Sequence, residues 1–285
     1  MSSARSGRTH TQSGTVIVTR DLSASATEIW DALTDPHILS QWFGALAAPL
    51  VQGQSTRLEF GDGDFFDLQN VVLDRPYRLQ YKWRFLGIGP QDTITWSISP
   101  GVDHCQVTVR DDEPARTQEA SRELRKGWLD FSKRLKDYFA KGRPTRYSWR
   151  RDFEGSIELN GDVRRVWDLL FETKPQDQWL PLDRALLDAG ARFIVNDGLE
   201  PSMFKIAEIV WNPPASVSFE LTHPDWLHPT KCELQLSPHG DDTLLSVSHN
   251  NWKAISSDKA YQKQQRHRSS QFWIAALQRA RNLIA

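Results

Sequence analysis

The chain has almost nothing on which common catalytic or cofactor chemistry is built. It holds only two cysteines, Cys105 and Cys232, in 285 residues. They form neither a Cys-x-x-Cys pair nor a zinc-type spacing. So few thiols exclude a disulfide framework and point to a reducing, cytoplasmic setting. There is no Gly-rich phosphate loop, no His-Glu-x-x-His, no Gly-x-Ser-x-Gly and no metal-ligand spacing, so no cofactor is expected. No apolar run reaches the roughly 18 residues that a membrane helix requires. The stretch from Met1 to Gly14 is polar and basic without an apolar centre, and it reads as a disordered tail rather than a secretory signal. Charge of one sign is lacking too: 35 Lys and Arg face 36 Asp and Glu. That balance removes any global pull toward nucleic acid or anionic membrane. The two local basic patches, Arg122 to Gly127 and Arg146 to Asp152, read as the wet face of a helix and a charged linker.

Tryptophan, by contrast, is abundant, with twelve in the chain. So much large aromatic surface needs big cores or aromatic-lined cavities. Trp30 and Trp42 are separated by the same interval as Trp167 and Trp179. In both pairs an Asp follows the first Trp (Asp31, Asp168) and a Gln precedes the second (Gln41, Gln178). Further matches lie downstream at a shift of 138: Pro76 over Pro214, Leu79 over Val217, Tyr81 over Phe219 and Pro100 over Pro238. A near-constant shift over this distance marks an internal repeat. We read two copies of one domain, 15–142 and 152–285, joined by the Gly-, Pro- and charge-bearing segment Lys141 to Arg151.

Each copy repeats one order of elements. A short strand comes first, then a short helix whose start is marked by Ser25 with Glu28 in one copy and by Asp162 in the other. Alternating strands follow. Tyr77, Leu79, Tyr81, Trp83 and Phe85 share a face, as do Ile94, Trp96 and Ile98, Val217, Phe219, Leu221 and His223, and Cys232, Leu234 and Leu236. Short connections between such strands favour an antiparallel sheet with one covered face. A long helix ends each copy, with stripes at Leu124, Trp128, Phe131, Leu135 and Tyr138, and at Trp273, Ala276, Leu277, Ala280 and Leu283. The fold class is therefore α+β, each sheet burying its face against its helix. The alanines of the second stripe predict a cavity in the second copy. The first copy, with Trp83, Trp96, Trp128 and Phe131 pointing inward, is expected to be largely filled.

The segments "ATEIWDALTDPHILSQWFG", "DRPYRLQYKW" and "GWLDFSKRLKDYF" resemble the START-like, or SRPBCC, superfamily. Within it they are most similar to the activator-of-heat-shock-protein-90-ATPase homologue family. The resemblance covers nearly all of copy one and, more weakly, copy two. It implies two tandem helix-grip domains, each a seven-stranded antiparallel sheet wrapped around its C-terminal helix, in many members around a deep apolar cavity. Members bind lipids, hormones or polyketides, some cyclise or hydrolyse what they bind, and others are co-chaperones. Fold alone does not choose among these.

Three readings follow. The first is capture of a hydrophobic, polyketide-like small molecule for sequestration, transport or protection. In the second copy Trp179, Phe193, Phe204, Phe219, Trp226 and Trp273 would line its site. In the first copy Trp42, Trp83, Trp96 and Trp128 would do so. Trp30 and Trp167 read as core, whereas Trp42 and Trp179 either close the mouth of the grip or simply pack. The second reading is a cofactor-independent cyclase, dehydratase or hydrolase. His223, Asp225 and His249, all in the copy expected to be roomier, would move protons. The alternative for "HPDWLHP", which also holds His228, is a strand-end loop with surface histidines. A metal on the two inward histidines lacks an identifiable third ligand. The third reading is a co-chaperone-like protein-binding module. Asp62, Asp64 and Asp67 around Gly61 and Gly63 suggest calcium, but without an EF-hand register, and a hairpin turn explains them as well. The expected partner is a hydrophobic small molecule, with no nucleic acid and no membrane insertion; a protein partner or homodimer stays open.

Overall fold

The computed structural model describes residues 14–147, 150, 152–172, 176–188, 190–195 and 202–285. The N-terminal tail up to residue 13 and parts of the linker lie outside the described residues. The first half contains β1 (Thr15–Leu22), α1 (Ala26–Thr34), α2 (Pro36–Trp42), β2 (Ala45–Leu46), β3 (Thr56–Glu59), β4 (Phe65–Asp74), β5 (Arg78–Phe85), β6 (Gln91–Pro100), β7 (Cys105–Asp112) and α3 (Gln118–Lys141). The second contains β8 (Phe153–Leu159), α4 (Val163–Trp167), α5 (Gln176–Trp179), β9 (Arg192–Val195), β10 (Ser202–Asn212), β11 (Ser216–Thr222), β12 (Thr230–His239), β13 (Asp242–Asn250) and α6 (Lys259–Ile284). After α4 the chain continues through one π turn, Asp168–Glu172.

Two antiparallel sheets result, in the orders β1-β7-β6-β5-β4-β3-β2 and β8-β13-β12-β11-β10-β9. Each curls against its own long helix, which is the tandem helix-grip architecture. Among the described residues the second sheet has six strands, and a single bridge between Leu182 and Phe193 stands where β2 pairs in the first. The repeat extends to irregularities. β4 shifts register between Gln69 and Val72, and β10 shifts between Ala207 and Val210. Asn70 and Glu208, the matched residues inside these bulges, both have left-handed backbone, φ 51 and 50. A bulge bends its strand and sharpens the local twist, and here it does so at the same place in both sheets.

Local chemistry sets the element ends. Ser25 and Glu28 close a reciprocal capping box at the start of α1, and Asp162 accepts from the Arg165 amide at the start of α4. Leu79, Tyr81 and Trp83 face the first core, and Val217, Phe219 and Leu221 the second, at the alternation read from sequence. Tyr77 and His223 lie just beyond their strand ends; Tyr77 is 51% exposed, whereas the His223 ring packs against Phe204 and Trp226.

The tryptophan pairs are structural pins. Trp30 and Trp167 are buried. Trp42 and Trp179 are fully buried, and each donates its indole N–H to a backbone carbonyl of the preceding helical segment: Trp42 to Ala32 at 2.9 Å, Trp179 to Leu170 at 3.1 Å. A buried indole N–H needs such a partner.

The two halves are riveted together. Leu86 and Ile88, in the turn after β5, belong to the apolar core of the second half. The turn between β3 and β4 docks on α6. Arg266 there is fully buried and grips both carboxylate oxygens of Asp64, at 2.6 and 2.8 Å, and the carbonyls of Asp62 and Asp152. Arg150 also reaches Asp64, at 2.6 Å. Gly63 sits so close to α6 that a Cβ would fall 2.4 Å from Ser270 Oγ. The acidic segment is thus a hairpin turn, with Asp62 and Asp64 held by arginines and backbone amides and Asp67 paired with Arg57.

Candidate functional site

A large hollow beside the first copy departs from the expectation that the second copy has the room. A cleft of about 730 Å³, open to solvent along Ala120, Glu123 and Gly127, lies between the first sheet and the N-terminal half of α3, with the second half as its far wall. Its aromatic wall is a stack. Phe66 on β4 lies 3.8 Å from Trp83 on β5, and Trp83 lies 5.3 Å from Trp128 on α3, with ring planes within 10° and 14°. Beyond Trp128, α3 presents Gly127, Leu124 and Ala120 to the cavity. A Cβ placed on Gly127 would meet nothing within 4 Å. The tall Trp83–Trp128 stack fills one end of the space between helix and sheet, and the small residues on the next turns leave the other end open.

The second half contains a void of about 30 Å³ among the described residues, lined by Phe193, Phe204, Trp226, His249 and Trp273 with their neighbours. That is about the share of one water in the liquid. The physical reason lies in the alanine stripe. Ala276 and Ala280 are fully buried, so the alanine stripe is covered and leaves no gap of its own. Phe193 packs edge-on to Phe272 and Trp273 and fills what remains.

The polar end of the large cavity is a carboxylate cluster around one guanidinium. Asp92 leads the inward face of β6 and Asp111 ends that of β7. Arg116, in the turn before α3, lies 3.0 Å from Asp92 Oδ2 and 2.7 Å from Asp111 Oδ1. Trp83 donates to Asp92 Oδ2 at 3.2 Å, and Trp128 to Asp111 Oδ2 at 2.8 Å. Each wall indole therefore also holds one carboxylate. Burial, with the charge of Asp111 added, pushes the Asp92 carboxyl up to about 7 against the pull of Arg116 and Trp83. Burial raises Asp111 as well. A carboxyl kept neutral in an apolar site is a proton donor, and such groups concentrate at functional sites.

The second half supplies the far wall. Glu154 and Ser156 come from β8, Pro238 and His239 from the end of β12, and Leu244 from β13. His239 Nε2 lies 3.1 Å from Glu158 and 3.6 Å from Glu113, so the polar network crosses the seam between the halves. Arg150 of the linker also lines the cavity.

The residues singled out from sequence fall in three places. Trp83 and Trp128 line the large cavity. Trp96 lies behind it, donating to the Tyr81 hydroxyl, and Trp42 packs edge-on to Trp96. Trp42 and Trp179 line neither hollow, and Phe219 is core. His223 and His249 are linked only through intervening rings, Trp226 and Trp252. His223 receives the Asp225 amide and sits 3.6 Å from an Asp225 carboxylate that is 74% exposed; this is the strand-end loop arrangement, with His228 exposed beside it. His249 is saturated. The Trp273 indole can only donate, and it does so to Nδ1 at 3.0 Å. Nδ1 is therefore the accepting nitrogen, and Nε2 carries the proton toward Thr230 Oγ1 at 2.8 Å. Burial depresses its pKa to about 3, so the ring is a neutral core group with no nitrogen free for a substrate. Among the described residues no group of three or more His, Cys, Asp or Glu could hold a metal ion. None of their helices is long and apolar enough to cross a membrane.

Sequence reasoning passed over Asp92, Asp111 and Arg116. A signal was present: Asp92 shares parity with Ile94, Trp96 and Ile98, and Asp111 with Val107 and Val109. A carboxylate on an inward face needs a buried partner.

The family model described as activator of Hsp90 ATPase homolog 1-like protein matches residues 23–140. Among solved structures, DynU16, a protein in the dynemicin biosynthetic locus, is 34% identical and superposes with a TM-score of 0.87. The match covers 96% of this chain and 100% of that one. CalU16 from Micromonospora echinospora is 20% identical over 45% of this chain and 77% of its own, with a TM-score of 0.38. The di-domain ARO/CYC StfQ from the steffimycin biosynthetic pathway is 15% identical over 94% and 98%, with a TM-score of 0.37. No curated protein matches.

Proposed function

Since the chain belongs to the AHSA1-like family of the SRPBCC superfamily and is related to DynU16 along its whole length, we propose that it binds a hydrophobic small molecule. The site is the cavity under α3. The observation that carries this reading is the hollow itself: a cleft of about 730 Å³, walled by a Phe66–Trp83–Trp128 stack on one side and by the second half on the other. Ligand pockets span about 300–1,000 Å³ and combine apolar walls with a few convergent polar groups, and this cavity has both. A flat, fused-ring molecule suits a wall of stacked aromatic faces. Relatedness to a protein of a dynemicin biosynthetic locus supports a specialised metabolite as the ligand, held for sequestration, transport or protection.

An enzymatic reading remains second. A carboxyl near neutrality beside an apolar cavity is a competent acid–base group, so any cyclisation, dehydration or hydrolysis would run at Asp92 rather than at the histidines of the second half. The binding reading is tested by titrating the full chain into pyrene and following the emission of the probe. We expect saturable binding of one equivalent, lost in Gly127→Phe, whose ring would occupy the cavity. Equal binding by wild type and Gly127→Phe would refute the assignment.

A further inference from the structure

The cavity's polar end has one atom left over, and that atom points to what the ligand carries. Asp92 sits beside the aromatic wall with two oxygens of unequal fate. Arg116 and the Trp83 indole both converge on Oδ2. Oδ1 takes no hydrogen bond among the described residues. Charge decides what Oδ1 presents. Asp92 and Asp111 share a single guanidinium, and Glu113 adds a third carboxylate nearby. The other charged or titratable groups lining the same cavity are Glu123 from α3, Arg150 from the linker, Glu154 from β8 and His239 from β12. Arg150 is held by Asp64, and His239 Nε2 lies 3.1 Å from Glu158 without a hydrogen bond to it. Carboxylates sharing one cation in an apolar setting retain a proton, and the oxygen free of donors is where it resides.

We propose that Asp92 Oδ1–H is the recognition point of the cavity, donating a hydrogen bond to a carbonyl oxygen on a flat, fused-ring ligand. This deepens the binding reading above and rests on it. The ligand class it selects is a polycyclic ketone, aldehyde or quinone rather than a plain hydrocarbon or an acid. An acid would bring its own negative charge toward the carboxylates. Asp92 is thus a specificity-determining residue: the aromatic stack sets the plane of the ligand, and Oδ1 fixes which edge enters.

The test uses two probes, pyrene and pyrene-1-carboxaldehyde, with the full chain at pH 6 and at pH 8.5. Pyrene has no acceptor, so its affinity should be the same at both. The aldehyde should bind roughly tenfold more weakly at pH 8.5, where Asp92 has lost its proton, the size expected for the loss of one hydrogen bond. In Asp92→Asn the amide oxygen takes over the Arg116 and Trp83 donors, leaving the NH2 at the free position. That variant should keep tight aldehyde binding at both pH values, whereas Asp92→Ala should lose the aldehyde preference at both. Binding of both probes with the same pH response in wild type would overturn the role of Asp92 and leave the cavity assignment standing; this comparison needs no variant to fold. Binding of pyrene without binding of the aldehyde would overturn the role of Asp92 alone, and failure of both probes to bind would overturn both readings.

Discussion

Cutting one ion pair should loosen the seam between the halves. Asp64 is 1% exposed and Arg266 is fully buried. In Asp64→Ala the guanidinium loses both charge-assisted bonds, at 2.6 and 2.8 Å, and keeps only the carbonyls of Asp62 and Asp152. Arg150 also loses its partner, but it is half-exposed and can turn to water. The loss is therefore dominated by one uncompensated buried charge, which costs about 3–5 kcal/mol when a partner is removed. Replacing both members by apolar groups abolishes that charge, so Asp64→Ala with Arg266→Met should be more stable than Asp64→Ala alone. Urea unfolding followed by tryptophan emission suits the measurement, since urea does not screen ion pairs as a salt denaturant does. Wild type should unfold in one coupled transition and Asp64→Ala in two, the first at clearly lower urea. A loss below about 1 kcal/mol with a single transition, or a double variant less stable than the single, would refute the view that this pair holds the seam.

Two further outcomes are expected. Gly127→Ala should stabilise the chain by about 1 kcal/mol, the difference in helix propensity, because its Cβ enters open space; thermal unfolding of the two proteins checks this, and a destabilised variant would mean that the helix lies closer to the sheet than described. His249 is held neutral by burial, its pKa down from 6.5 to about 3. Below 6.5 the unfolded chain takes up a proton that the folded chain refuses, so this stabilisation is present above pH 6.5 and lost as pH falls toward 3, at up to about 1.4 kcal/mol per unit. The stability of His249→Asn should fall less steeply over that window, and an unchanged slope would refute it.

The parts of the molecule that were legible in sequence are those encoded by local period. Leu79, Tyr81 and Trp83 alternate because a pleated strand alternates, and Trp128 and Leu135 recur because a helix turns. The bulges left no such mark: Glu208 is not a residue type that favours left-handed backbone, and although Asn70 is one, a single Asn within a strand does not place a bulge. The location of the hollow departs from the expectation because residue size was taken as a proxy for space. Ala276 and Ala280 are fully buried and Phe193 packs against Trp273 beside them, so the alanines leave no large void among the described residues. Trp128 stacks on Trp83 and forms a wall of the cleft rather than filling it. Asp64 and Arg266 were beyond reach, because they lie in different copies and no local pattern joins them. Asp92 was within reach, because its parity with Ile94 and Trp96 put a carboxylate where only a paired or protonated one could stay.

The long helices carry the difference between the copies. In both, an indole of the helix donates to an inward group of the last strand: Trp128 to Asp111 and Trp273 to His249. In α3 the residues before that indole that face the sheet are Leu124 and Gly127, which line the cleft. In α6 the turns before it carry Ser270 and Arg266, and the turn 61–64 of the first half docks there, with Gly63 against Ser270 and Asp64 on Arg266. The second half returns the contact through Pro238, His239 and Leu244, which form the far wall of the cleft. Each copy therefore completes the other, so the ligand site depends on the seam as much as on the fold that surrounds it.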